Sequence, residues 1–180
     1  MIRITGGDSR GRRLAVPDGI RPTTDMARKA VFDLIGPERL TAAVRVADVA
    51  AGSGAYGLEA LSRGAGEAVL VDSSLEAVRS ILGNAERLGV SGRCRVHHGR
   101  ATFFVRRAVA EGARFAIVFH DPPYADDSSD DLRGLIPLLL PGGVLVHERG
   151  DDRDPLPGGP AFTLRRRYGA TWVLLYHRLD

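Results

Sequence analysis

The run Asp121-Pro122-Pro123-Tyr124 is the part of this chain best fitted to do chemistry. It closes an apolar stretch, Phe115-Ala116-Ile117-Val118-Phe119-His120, that reads as a buried strand. Neither proline donates a backbone hydrogen bond and both have φ fixed, so the turn is stiff and its carbonyls stand outward as acceptors. The Asp121 carboxylate adds an acceptor that carries negative charge. An exocyclic NH2 on a nucleobase offers two donors, and gripping both turns its lone pair toward an incoming electrophile. Tyr124 supplies a flat face on which a base can stack. Standing alone, Pro-Pro-Tyr would read as a rigid loop after a core strand. What lies upstream gives it a second meaning.

Val44-Arg45-Val46-Ala47-Asp48-Val49-Ala50 reads as a strand that runs into Ala51-Gly52-Ser53-Gly54-Ala55-Tyr56-Gly57 and then a helical pattern. Gly52 and Gly54 let the backbone turn sharply beneath a ligand. Twenty residues after Gly52 a second apolar strand, Ala68-Val69-Leu70-Val71, ends at Asp72, placed to accept hydrogen bonds from ribose hydroxyls. This is a nucleoside-binding βαβ unit, and its glycine spacing also satisfies the dinucleotide fingerprint of dehydrogenases. Two features separate the cases. Asp48, four residues before Gly52, would repel a pyrophosphate on the helix N-terminus and suits a cationic ligand such as S-adenosylmethionine. A dehydrogenase also normally carries a separate substrate domain, for which 180 residues leave little room.

Taken together the motifs resemble the RsmD-type methyltransferases, which modify a guanine N2 in bacterial 16S (small-subunit) ribosomal RNA. The resemblance covers nearly the whole length. It begins with Arg3-Ile4-Thr5-Gly6-Gly7 and Arg10-Gly11-Arg12-Arg13-Leu14, then Arg21-Pro22-Thr23-Thr24-Asp25 and Arg28 leading into Ala30-Val31-Phe32. It continues through Ala51-Gly52-Ser53-Gly54-Ala55, the segment Gly57 to Gly64, Val71-Asp72 and Asp121-Pro122-Pro123-Tyr124. The Asp-Pro-Pro-Tyr motif marks amino-methyltransferases broadly, whereas its combination with the basic opening and Arg-Pro-Thr-Thr-Asp is more specific. Two departures bear on the cofactor. Arg100-Ala101 stands where the family pattern has Asp-Ala, so the acidic side chain expected near the adenine amine is absent, and Asp48-Val49-Ala50-Ala51 is smaller than the usual Asp-Leu-Phe-Ala.

The resemblance implies a flipped guanine stacked on Tyr124, its amine held by Asp121 and the Pro122 carbonyl and attacking the cofactor's methyl group in line. No metal is required. Asp48, Gly52, Gly54, Asp72 and Ala101 with Arg100 would line the cofactor site, Thr23 and Thr24 cover its methionine end, and Ser73 reach the adenosine. Three other readings stay open: an amino-methyltransferase acting on adenine N6 or a protein glutamine, a nicotinamide-dependent dehydrogenase, and a non-catalytic RNA-binding protein of the same fold.

Composition fits an enzyme that meets RNA. With 44% hydrophobic and 26% charged residues the chain can bury a core. No apolar run approaches the roughly 20 residues of a membrane helix, and the opening Met1-Ile2-Arg3-Ile4 is no signal peptide, so a cytoplasmic monomer is expected. Cys94 is the one cysteine, which excludes an internal disulfide and a multi-cysteine zinc site. Net charge is only +3, but Arg3, Arg10, Arg12, Arg13, Arg21 and Arg28 crowd the first 28 residues. Ile2-Arg3-Ile4 and Arg13-Leu14-Ala15-Val16 read as two short strands of an arginine-bearing hairpin reaching over a substrate cleft. Arg10, Arg12, Arg13, Arg21 and Arg28 are accordingly the expected contacts to ribosomal RNA, naked or in the partly assembled subunit. Arg165-Arg166-Arg167 reads instead as an edge strand whose charge opposes aggregation.

The remaining elements alternate. Thr24 caps a helix over 25–35; Ser74 starts another in which Leu75, Val78, Ile81, Leu82, Ala85 and Leu88 recur at helical spacing before Gly89. A strand at 94–97, a helix at 102–110, the strand at 115 and a helix from about 129, stopped by Pro137, follow. Pro141-Gly142-Gly143 is expected to turn the chain into the strand 144–148, Gly150 to Pro160 to be a surface loop, and strands 162–167 and 171–178 to meet at Tyr168-Gly169-Ala170. The expected fold is α/β: a doubly wound, seven-stranded, mostly parallel Rossmann-like methyltransferase sheet with a C-terminal antiparallel hairpin. A small N-terminal β-hairpin extension over 1–20 precedes the methyltransferase domain over 21–180.

Overall fold

Strands that are apolar on both faces must be covered on both faces, and here the covering is done by the helices between them. The computed structural model describes residues 2–17, 24–123, 129–157, 159 and 162–179. The described elements are, in order, β1 (Ile2–Arg3), β2 (Arg13–Leu14), α1 (Asp25–Ile35), β3 (Arg45–Val49), α2 (Ala55–Ser62), β4 (Glu67–Asp72), α3 (Leu75–Leu88) and β5 (Cys94–His98). They continue with α4 (Ala101–Ala110), β6 (Phe115–His120), α5 (Ser129–Leu135), β7 (Leu139–Arg149), β8 (Leu164–Tyr168) and β9 (Thr171–His177). Seven strands form one sheet in the order β5-β4-β3-β6-β7-β9-β8, while β1 and β2 pair with each other. β3 through β7 run parallel; β9 is antiparallel to both β7 and β8.

Val46, Leu70, Ile117, Phe119 and Val146 pack on one face with α1, α2 and α3; Ala47, Val69, Val118 and Leu145 pack on the other with α4 and α5. The expected doubly wound fold is therefore present, C-terminal antiparallel strands included. The chain leaves β3 for β4 and β5 on one side, then returns to place β6 on the other. At that reversal a crevice opens outside the carboxyl ends of β3 and β6.

Local signals act as expected at the helix ends. The Thr24 hydroxyl accepts from the Ala27 N–H at 3.2 Å and the Ser74 hydroxyl from the Ala77 N–H at 3.3 Å. One expectation is corrected. Pro141-Gly142-Gly143 does not turn the chain into β7 but lies inside it, because Phe115 pairs with Leu139 while Ile117 already pairs with Val144. The extra residues form a bulge, bonded to the opposite neighbour through Gly142 N–H to the Arg178 carbonyl at 3.0 Å and Arg178 N–H to the Gly143 carbonyl at 2.9 Å. The segment after β7 is loop, as read, yet Leu156 is buried with α5 and so fastens it to the core.

The N-terminal hairpin also differs in placement. Ile2, Ile4 and Leu14 share the core of α1 and α2. Its tip lies against the C-terminal end of α2: Asp8 N–H donates to the Ser62 carbonyl at 2.9 Å, Ser9 N–H to Ser62 Oγ at 2.9 Å, and Ser62 Oγ to the Gly6 carbonyl at 2.8 Å. At Gly7, φ is +76° and a Cβ would stand 1.8 Å from the Ser62 carbonyl oxygen, so only glycine allows this approach. The N-terminus of α2 faces the crevice, and a helix of this length spans about 12 Å. Ile2 at the hairpin's base lines the cleft, but its arginine-bearing tip does not reach over it and sits at the opposite end of α2.

Candidate functional site

The crevice is a cleft of about 990 Å³, bounded at one end by Gly99 to Thr102 and at the other by Tyr168 to Thr171. Its floor is the loop from β3 to α2. Ala50, Gly52 and Gly54 have φ of 60°, 55° and 77°, so the backbone folds back on itself at three positions within five residues. Asp72, at the end of β4, fastens this loop. One carboxylate oxygen accepts from the Gly52 N–H and the other from the Ser74 N–H, both at 2.8 Å. Each oxygen keeps a lone pair for a further donor, as a pair of ribose hydroxyls requires.

Asp48 is buried below the loop and accepts the Gly57 N–H at 2.8 Å. Burial, reinforced by the neighbouring charges of Asp121 and Asp72, pushes its pKa up to about 8, against the opposing pull of the Gly57 N–H and of Arg28. The simple picture of Asp48 as a standing negative charge is therefore amended: at neutral pH the group is mostly protonated. Thr24, Ser73, Arg100 and Ala101 also line the cleft with Asp48, Gly52 and Asp72, whereas Gly54 does not: it faces Leu70, Ile81 and Leu58 in the core. Ala101 opens α4, and the exposed Arg100 precedes it without a side-chain cap.

Asp121 and the buried Pro122 follow β6 directly and face the same space, with Pro123 beside them. Strand β6 is held from behind. His147 Nδ1 donates to the His120 carbonyl at 3.2 Å, and the two imidazoles stack with centroids 5.1 Å apart. Burial lowers the pKa of His147 to about 4 and, with the neighbouring His147, holds that of His120 well below the usual imidazole range, so both rings are neutral at physiological pH. The 3.8 Å approach of His120 Nε2 to Asp131 is accordingly a polar contact rather than an ion pair.

Sequence reasoning did not reach several of the residues that shape this cleft. Tyr56 stacks on Phe119 with centroids 4.7 Å apart and donates its hydroxyl to the buried Glu148. Its position inside the glycine-rich loop was the available signal. Asp131 and the Tyr168–Thr171 turn line the cleft through tertiary placement, for which the local sequence carries none.

Arg28 requires a correction. It is fully buried, with Nε donating to Glu59 Oε2 at 2.7 Å and Nη2 to Asp25 Oδ1 at 2.8 Å and to the Arg3 carbonyl. Glu59, also fully buried, takes Thr5 and Arg63 on its other oxygen. Arg28 thus binds the hairpin, α1 and α2 together and presents nothing to a phosphate. Arg10, Arg12 and Arg13 are exposed, with Arg12 donating to the Arg87 carbonyl at the end of α3. Arg21, Thr23 and Tyr124 lie outside the described residues.

Residues 2–177 match the family model described as Conserved hypothetical protein 95. The chain is 42% identical to ribosomal RNA small subunit methyltransferase D of Escherichia coli K12, over 98% of its own length and 90% of that protein's. It belongs to this RsmD-type methyltransferase family. Among solved structures, a hypothetical protein of Thermus thermophilus is 39% identical, covers 97% of this chain and 98% of its own, and superposes with a TM-score of 0.85. An RNA methyltransferase of Salinibacter ruber, solved with S-adenosyl-L-homocysteine, shares the fold at 18% identity and a TM-score of 0.68, over 89% and 95% of the two chains. Within the RsmD-type frame, the glycine loop and Asp72 form one half of the cleft and the Asp121 turn the other.

Proposed function

We propose that this RsmD-type chain transfers a methyl group from S-adenosylmethionine to N2 of a guanine in small-subunit ribosomal RNA. The observation that carries the reading is the meeting, in one cleft, of a ribose-type acceptor at Asp72 and an amine-type acceptor at Asp121, on either side of the switch between β3 and β6. The name of the Escherichia coli relative supports the RNA class.

The residues present fit the cofactor. Asp72 has acceptor capacity for ribose hydroxyls, the Gly52–Gly54 backbone allows close approach, and Asp48 can exchange its proton for the attraction of a cation. When bound, S-adenosylmethionine supplies an electrophilic methyl on a cationic sulfur. The protein's share is to present the amine: Asp121 and the Pro122 carbonyl accept its two hydrogens, leaving the lone pair directed away from them. As the new N–C bond would form and the methyl–sulfur bond break, leaving a neutral thioether, the nitrogen would gain positive charge that it later sheds as a proton, so a fixed carboxylate favours the transition state over the ground state. Tyr124 belongs to this proposal as the stacking face. Arg10, Arg12 and Arg13 belong to it as phosphate contacts distant from the cleft.

The deciding experiment maps methylated guanines in small-subunit RNA from cells with and without the gene, and repeats the reaction with purified enzyme and labelled cofactor. One guanine that loses its N2-methyl group without the gene and regains it in vitro supports the reading. Label appearing on adenine or on protein would move it to another amino-methyltransferase class.

A further inference from the structure

The strand order divides the cleft. Its cofactor half lies over β3, β4 and β5, where Gly52, Asp72 and Ala101 converge, and Asp121 stands at the end of β6 on the dividing line. A substrate amine held by Asp121 must therefore enter from over β7, β9 and β8. The wall on that side is the β8–β9 hairpin, in which Tyr168 pairs with Thr171 across the two-residue turn Gly169-Ala170. Tyr168 is half-buried: it packs against the hydrophobic core on that face of the sheet and also lines the cleft.

Alternation along β8 decides which arginine accompanies Tyr168. Leu164, Arg166 and Tyr168 share one face, and Arg165 and Arg167 the other. Arg165 is engaged with the Asp152 carbonyl at 3.2 Å and Asp154 at 3.8 Å, and Arg167 Nε donates to the Gly169 carbonyl at 2.9 Å. Arg166 is exposed and, among the described residues, makes no ion pair. Protection of a sheet edge accounts for charge on all three arginines; what sets Arg166 apart is that it shares a strand face with Tyr168, two residues from an aromatic at the cleft wall.

We propose that Tyr168 and Arg166 form the entry face for the substrate strand, Tyr168 stacking a nucleobase at the cleft mouth and Arg166 holding an adjoining phosphate. An aromatic platform beside a cation is the arrangement by which proteins hold unpaired nucleotides. This rests on the RNA reading above and adds the surface through which RNA arrives.

The test compares Tyr168→Ala, Tyr168→Leu, Tyr168→Phe and Arg166→Ala with wild type. It measures methylation of a small-subunit RNA fragment at saturating cofactor, RNA binding over a salt series, and cofactor affinity by calorimetry. Loss of the ring should raise the RNA KM by about 5- to 150-fold, the range expected for one stacked base, with cofactor affinity unchanged. Tyr168→Phe should restore it, since the ring and not the hydroxyl is used. Tyr168→Leu keeps apolar bulk against the core and should still show the loss, so a folding defect in Tyr168→Ala does not hide the result. Arg166→Ala should lower the log–log salt slope by about 0.7–0.9. Normal RNA KM in Tyr168→Leu together with a salt plot for Arg166→Ala parallel to wild type overturns the entry face. If wild type methylates RNA while the variants match it, only this surface falls; if wild type neither binds nor methylates RNA, the functional reading falls with it.

Discussion

Two carboxylates of the cleft differ in what they touch, and so should differ in what their loss does. Asp121→Ala removes one fixed acceptor from the reacting amine and should lower kcat by about 10²–10³, by analogy with deletion of a single oxyanion-hole donor, while cofactor affinity holds. Asp72→Ala removes interactions that the ground state and transition state share, and also releases Gly52 and Ser74, so it should weaken cofactor binding and spare kcat at saturation. Calorimetry alongside steady-state kinetics separates the two. A third carboxylate gives a pH signature. Because the pKa of Asp48 is raised to about 8 in the folded protein, the folded state holds a proton that the unfolded chain releases near pH 4. Its stabilising contribution is complete below that lower value and is lost as pH rises toward 8, at up to about 1.4 kcal/mol per pH unit. Asp48→Asn keeps an acceptor for Gly57 and should therefore raise the melting temperature more at pH 8 than at pH 5. Wild type should bind the cofactor more tightly as pH rises from 6.5 to about 8 and the carboxylate becomes charged, and the same variant should abolish that tightening.

At the level of elements, what could be read along the chain was what local chemistry decides. The bounds of α1 follow from Thr24 as cap and the apolar spacing behind it, and those of β6 from an unbroken apolar run ended by two prolines. The cofactor half of the cleft was legible for the same reason, since glycine loop and Asp72 sit at fixed spacings within one βαβ unit. What depended on partners remote in sequence was not. The bulge at Gly142 exists only against β6 and β9, and Arg28 looked like a surface cation because its partner Glu59 lies in a helix whose other residues are mostly apolar. That pair has a measurable weight. Arg28→Met leaves Glu59 buried with one carboxylate oxygen stripped of its partner and should cost about 3–5 kcal/mol in denaturant unfolding, whereas replacing the exposed Lys29, paired with Asp33, should cost at most about 0.5 kcal/mol.

Over the whole molecule, the cleft and the basic hairpin tip occupy opposite ends of α2, so an RNA that touches both must extend beyond the target nucleotide around that helix. Replacing Arg10, Arg12 and Arg13 together with alanine should reduce the salt slope of binding by about 0.7–0.9 for each phosphate no longer neutralised, and leave cofactor affinity alone. The reduction should appear with the partly assembled subunit or a long RNA fragment and vanish with a short single-stranded oligonucleotide carrying the target guanine. Parallel salt plots for the long RNA would remove the hairpin from the substrate surface. No helix among the described residues is long and apolar enough to cross a membrane.

The buried pairing of Arg28 with Glu59 also sets a schedule. Thirty-one residues separate the two, so on a growing polypeptide the arginine emerges roughly 2–6 s before the glutamate that will neutralise it. During that interval Asp25, itself partly exposed, is the carboxylate that pairs with Arg28, and the fully buried half of the pairing waits for Glu59. Docking of the N-terminal segment therefore waits for α2, and the earliest-made part of the protein is among the later parts to be fixed in place.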